Sequence, residues 1–266
     1  MGDTKAYRTE REWVSVTVPK AVPFKKEEKR SIDVYGDGIS CVELVEHMGS
    51  DLTIVNSARV SFGKHKEELD GRDRKLINYL AKHKHTSTFE HNVVTFRFTV
   101  PLYVRSQHHR HRTWSYNEIS RRYTDVNIQF YEPDQFRTQH ESSRQASNPE
   151  ELVNPVVFAY EDGGQLRASS LIKRHHEQSF KLYENLLSSG VCREQARGVL
   201  PQNMYTEYYG TVNLSNLLKF IDLRTHEGAQ WEIQKVAEAC LDISEELWPV
   251  AVSSYRKAKN EKDPVS

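Results

Sequence analysis

The chain has 266 residues, with 37 Lys and Arg against 37 Asp and Glu, so its formal net charge is zero. That length suits one large domain with a real core, and the neutral balance argues against the domain-wide basic surface of a general nucleic-acid binder. Three scattered cysteines (Cys41, Cys192, Cys240), no apolar run of about 18–20 residues and no apolar leader speak against a disulfide scaffold, a membrane span and a secretory signal, and point to a cytoplasmic protein.

Residues 1–30 read as a polar N-terminal extension in which Val14, Val16 and Val18 could form one short strand. Ser31 to Met48 reads as strand structure around a turn at Gly36-Asp37-Gly38. Asp51 is placed to cap a helix running through Leu52, Val55 and Ala58. Arg74 to Lys84 reads as a second helix, with Leu76, Ile77, Leu80 and Ala81 on one face. His83, His85, Glu90 and His91 follow, but without zinc-helix spacing or a nearby cysteine, so no metal is expected there. Val94, Phe96, Phe98 and Val100 alternate with Thr95, Arg97 and Thr99, the pattern of a half-buried strand. Pro101 ends that strand and opens a helix over Leu102 to His109. The C-terminal end of a helix repels anions, so any anion bound beyond it must be held by side chains.

The stretch from Arg110 to Tyr123 then gathers Arg110, Arg112, Arg121 and Arg122 around one carboxylate, Glu118. Four guanidiniums crowded together need counter-charge, and a planar Arg fork matches phosphate. Asn117, Ser115 and Ser120 offer directional hydrogen bonds, and Trp114, Tyr116 and Tyr123 offer stacking surfaces. That mixture suits a nucleotide. A sequence-indifferent single-strand-binding module would use similar residues and is the rival reading.

Ile128 to Phe136 reads as a strand, Thr138 to Gln165 as a long loop or lid, and Leu166 to Leu187 as an amphipathic helix stopped near Gly190. His176 falls near its packed face, as a histidine bonded at the core's edge would. Arg193 to Leu200 reads as a short helix ended by Pro201, and Met204 to Val212 as a strand. Asn213 is placed to cap a helix through Leu214, Leu217, Leu218 and Ile221, on which Ser215 and Lys219 share a face. A last helix runs from Gln230 to Trp248 and ends at Pro249, leaving a charged tail. Neither the dinucleotide nor the P-loop glycine pattern is present, so a nucleotide cofactor would be held outside those turns.

Arg110-His111-Arg112, seven residues, then Ser120 resembles the signature of flavin-dependent thymidylate synthases, and Ser115, Asn117, Glu118, Arg122 and Tyr123 fit its longer form. Leu223-Arg224 with Ala229-Gln230 and Glu232-Ile233 resembles a second segment of that family. The resemblance covers about residues 35–255 and implies an α+β fold, a central antiparallel sheet flanked by helices; residues 31–257 read as one catalytic domain and 258–266 as a charged tail outside the resemblance. It implies reductive methylation of dUMP, with methylenetetrahydrofolate as carbon donor and NADPH as reductant through FAD, in a homotetramer with shared active sites. It places Gln107, Arg110, Glu118, Ile119, Ser120, Arg121, Arg122, Arg197 and Arg224 at dUMP. It places Ser61, His85, Ser87, Arg110, His111, Arg112, Glu118 and Asn213 at FAD. Thr88 stands where the family usually has Pro. Ser215 stands where the family commonly has Arg, and Lys219 is expected to restore part of that charge.

The chemistry gives Arg224 its role. Methylating C5 of uracil needs an electron-rich ring, reached through a cysteine at C6 or through charge stabilisation at N3 and O4. No cysteine here has an activating neighbour. A guanidinium can stabilise the charge without being consumed, and Arg224 is the candidate.

Overall fold

A computed structural model describes residues 30–158 and 164–260; the strand expected at 14–18 lies outside them. In chain order the elements are β1 (Ser31–Ile32), β2 (Cys41–Met48), α1 (Asp51–Arg59), α2 (Gly71–Lys82), β3 (Val93–Pro101), α3 (Leu102–His108) and β4 (Ser115–Glu118). Then come β5 (Phe136–Gln139), β6 (Ser147–Val153), β7 (Val156–Phe158), β8 (Gln165–Arg167), α4 (Ala168–Ser188) and α5 (Arg193–Ala196). The chain continues through β9 (Tyr205–Asn213), α6 (Leu214–Arg224), α7 (Trp231–Leu247) and α8 (Pro249–Asn260).

An antiparallel sheet in the order β1-β2-β3-β9-β4 forms the centre, and α3, α6 and α7 pack against it. The fold is α+β, as expected. The period-2 pattern of β3 is obeyed strictly: Val94, Phe96, Phe98 and Val100 are each 0% exposed. Opposite them β9 buries Thr206, Tyr208 and Val212. Gly210 has no side chain because there is no room for one. A Cβ there would stand 2.9 Å from Phe98 Cε2 and 3.2 Å from Trp114 Cε3. The absent methyl lets Trp114 close over the sheet and brings β4, the motif strand, alongside β9.

Several boundaries differ from expectation. Ser50, not Asp51, caps α1, with Thr53 returning a bond to the Ser50 amide. Asp51 is buried and accepts instead from the Val250 and Ala251 amides at 3.0 and 2.8 Å. It therefore caps α8, 199 residues away. Pro249 ends α7 but also begins α8, since a proline lacks only an amide that a first turn leaves unpaired. Residues 258–260 thus belong to a helix and not to a tail. The helix expected from Arg74 starts at Gly71 because Asp70 caps it.

The stretch read as a lid holds two strand pairs, β5 with β6 and β7 with β8. Their strands are largely exposed, so no apolar alternation marks them in the sequence. They are held by backbone ladders and by side chains such as Arg137 on Ser147, 3.0 Å. Of the strand expected from Ile128, the regular pairing is one bridge from Phe130 to Met204. His176 is buried, 2.8 Å from Glu132 and stacked on Phe130.

Candidate active site

Helix α3 leaves the sheet at Pro101 and delivers Gln107 at its end; the chain turns through Arg110–Arg112 and returns as β4. Arg224, the last residue of α6, meets that turn. Its Nε donates to His111 Nε2 at 3.0 Å and its Nη2 donates to the Gln107 carbonyl at 3.2 Å. One edge of a half-buried guanidinium is thereby fixed, and its remaining N–H groups are left for a ligand. Burial pulls the Arg224 guanidinium below its ordinary range, yet an arginine remains charged in a protein.

The three neighbouring histidines are held neutral. Burial, then Arg224, brings His111 down to about 4. His108 is fully buried and shares a 2.8 Å hydrogen bond with Tyr208, and burial pushes it well below the ordinary range. His109 is lowered by burial and then by Arg105. Neutral imidazoles add no charge to the arginine cluster, and a neutral His111 can accept the bond from Arg224. The tautomer follows: with Nε2 accepting, the proton of His111 sits on Nδ1.

The motif divides differently from its sequence. Glu118 does not balance the four arginines; it takes Arg105 at 3.1 Å and Thr206 at 2.7 Å. The Arg121 side chain is buried and donates to the Val126 carbonyl at 2.7 Å, closing its own turn. Arg110, Arg112 and Arg122 remain exposed, Arg122 with Tyr123 alongside at 2.8 Å. Ile119 is tied by its amide to the Glu207 carbonyl at 2.9 Å, and the Ser120 hydroxyl accepts from the Arg122 amide at 3.3 Å. Arg197 is exposed on a short helical turn with its Nε on the Glu194 carbonyl, 3.3 Å.

A second feature is a cleft of about 450 Å³ between α2, α6 and α8. His85, Ser215 and Lys219, which the family resemblance associates with FAD, all line it. Leu80, Ala81, Phe89 and Leu218 supply an apolar wall, and Lys84, Lys219 and Lys259 supply cations. Sequence reasoning missed Lys84, Asp222, Tyr255 and Lys259. Tyr255 and Lys259 share a helix face at i, i+4 and both bond Asp222, at 2.7 and 3.1 Å; that spacing was legible had the C-terminal helix been recognised. Ser215 is buried, so Lys219 holds the exposed position on that face of α6. Asn213 caps α6 through Asn216, 3.0 Å. Ser87 lies on the exposed short helix that follows His85, and Ser61 is exposed beyond α1. An apolar wall facing ammonium groups suits a cofactor with a flat ring or ribose and an anionic linker. From Ser215 to Arg224 helix α6 rises about 13 Å, a span a dinucleotide can bridge.

A profile of the family described as "Thymidylate synthase complementing protein" matches residues 43–250. The chain is 40% identical over 216 residues to a flavin-dependent thymidylate synthase of Thermus thermophilus, spanning 81% of this chain and 75% of that one. It is 41% identical over 217 residues to that of Thermosipho melanesiensis, spanning 81% and 90%. A crystal structure of the UMP/dUMP methylase PolB from Streptomyces cacaoi, bound with 5-Br dUMP, aligns with a TM-score of 0.68 at 35% identity, covering 81% of this chain and 94% of that one. The family profile takes in the motif turn, α2, α6 and the strands β3, β4 and β9, and the chain belongs to the flavin-dependent thymidylate synthase family.

Proposed function

We propose that this chain methylates dUMP reductively to dTMP, with methylenetetrahydrofolate as carbon donor and NADPH as reductant. FAD, the family's cofactor, supplies the redox chemistry when bound. The observation that carries the reading is Arg224, anchored by the motif residues His111 and Gln107 with one edge free. Uracil placed against that edge meets a fixed positive charge where negative charge develops during attack by C5. A donor fixed before reaction needs no reorganisation as the charge forms.

Around it, Arg110, Arg122 and Arg197 take the phosphate. Glu118, Ile119, Ser120 and the Arg121 backbone shape the nucleotide seat, and Gln107 meets the base. FAD lies along α6: His85, Ser87, Ser215 and Lys219 hold it at the cleft, with Ser61 and Asn213 nearby and Arg110, His111, Arg112 and Glu118 at the motif. Asn213 and Ser215 begin the helix whose end carries Arg224, so one rigid rod sets the cofactor against the base. The exposure of Arg110 and Arg112 supports a homotetramer in which neighbouring chains complete each site; light scattering should give the mass of four chains. The catalytic unit begins at residue 31 and takes in α8, whose Lys259 lines the cleft. No described helix is long and apolar enough to cross a membrane, and the free thiols of Cys41, Cys192 and Cys240 suit a cytoplasmic site.

Purified protein should be yellow and should release tritium from C5-labelled dUMP only with folate and NADPH present. Colourless protein with salt-sensitive affinity for single strands would overturn the reading in favour of nucleic-acid binding.

A further inference from the structure

Glu232 lies in the first turn of α7 and is 4% exposed. One carboxylate oxygen lies 2.5 Å from the Arg137 guanidinium, which reaches in from β5. The other accepts from the Gln230 amide at 2.8 Å. The Gln230 carbonyl oxygen in turn accepts from the side-chain amide of Gln107. Arg137 is braced by Ser147 and lies over the Trp231 ring at 4.8 Å.

The direction of this chain of bonds is not free. A carboxylate only accepts, whereas an amide can present either end. Glu232 must therefore face the NH₂ of Gln230. The Gln230 carbonyl must then face Gln107, and Gln107 must turn its own NH₂ toward it. Its carbonyl oxygen is what remains for a ligand. Reversing Gln230 would set an oxygen against a carboxylate in a poorly solvated position, which costs a mispaired polar contact.

Arg224 sits against the same residue, donating to the Gln107 main-chain oxygen at 3.2 Å. The site thus offers a donor guanidinium and an acceptor carbonyl side by side. Uracil presents O4, an acceptor, beside N3–H, a donor. Cytosine presents an amino donor beside a bare N3 acceptor, so both contacts would be mismatched. We propose that Glu232, acting through Gln230, fixes Gln107 as the acceptor of the uracil N3–H and so excludes cytosine nucleotides. The proposal rests on Gln107 and Arg224 being pyrimidine contacts. Glu232 is a positioning residue, since it reaches the base only through two amides.

Equilibrium dialysis of dUMP and of dCMP against the FAD-loaded full chain tests it. The unaltered protein should prefer dUMP by about 100-fold or more. Glu232→Gln frees the relay to turn over, and the preference should fall by about tenfold or more. Combining E232Q with Q230E moves the carboxylate one place along: the new acceptor again faces Gln107, and the preference should return although the Arg137 pair is lost. A purely structural role for Glu232 would weaken both nucleotides alike and would not be rescued by the exchange. E232Q protein that retains flavin and the full preference overturns the proposal, as does an unaltered protein that binds both nucleotides equally. Should E232Q fail to fold, Gln107→Met, on a half-buried side chain, decides the matter: it must keep flavin and lose the preference, and a retained preference refutes the assignment. An unaltered protein that binds flavin but neither nucleotide overturns the reading of the site itself, and the relay with it.

Discussion

Arg224→Ala removes the group on which the proposed chemistry turns. The side chain makes two contacts, to His111 at 3.0 Å and to the Gln107 carbonyl at 3.2 Å. Both acceptors lie in a part-buried setting that water can enter once the guanidinium is gone. The loss to folding should therefore be small, about 1–2 kcal/mol, the net worth of ordinary hydrogen bonds. Turnover is another matter. A preorganised donor that faces developing charge contributes about 3–4 kcal/mol to the transition state, equivalent to a fall of about 100- to 1000-fold in kcat. Arg224→Lys keeps the charge but not the fork, and a single ammonium cannot hold both acceptors and face the base, so it should recover only part of the rate. The assay is tritium release from C5-labelled dUMP, with flavin absorbance and the thermal midpoint read on the same samples. Release within about threefold of the unaltered rate, with flavin and dUMP both bound, corresponds to less than 1 kcal/mol and would remove Arg224 from the mechanism.

The depressed His111 pKa gives a pH dependence of known sign. The unfolded imidazole takes up a proton near its ordinary 6.5 but the folded one only near 4, so stability is fully present above about 6.5 and declines as pH falls toward 4. His111→Gln should flatten that part of the midpoint-versus-pH curve; parallel curves would show that His111 is not held neutral. Asp51→Ala removes the cap on α8 and should destabilise the fold by about 1–2 kcal/mol. Since α8 carries Tyr255 and Lys259, flavin retention should fall with it, and an unchanged thermal midpoint would contradict the clasp. Arg122→Ala should weaken dUMP far more than flavin, as dialysis would show; equal losses would contradict its place at the phosphate.

The sequence made the sheet centre legible and the surface hairpins illegible for one reason. β3 buries every second residue completely, so its pattern is written in Val94, Phe96, Phe98 and Val100. β5 to β8 bury almost nothing and are specified by ladder bonds that leave no apolar trace. Asp51 shows the limit of local reading. An acidic residue ahead of a helix reads as that helix's cap, yet the amides it serves are 199 and 200 positions away. The arginine motif was legible as charge but not as division of labour. Whether Arg121 faces a phosphate or its own turn depends on the Val126 carbonyl, a contact with no signature in composition. The relay from Glu232 to Gln107 joins residues 125 positions apart and could be found only once α3 and α7 were packed together.

Helix α6 explains why these pieces act together. Its N-terminal turns line the cleft with Ser215 and Lys219, and its last residue holds the motif turn. Leu214, Leu217, Leu218, Phe220 and Ile221 are all buried, so the rod cannot slide without emptying the core beneath it. A close-packed interior transmits such a constraint, because it has no slack in which to absorb a shift. His108 and Phe220 stack at 4.6 Å and His111 meets Phe220 edge-on at 4.9 Å, so the same core fixes both partners of the Arg224 bond. The distance from the cleft to the guanidinium is thus set by hydrophobic packing and not by the polar residues at either end. This is why substitutions confined to the polar face should divide cleanly between the two ligands, whereas one at Phe220 should disturb both at once.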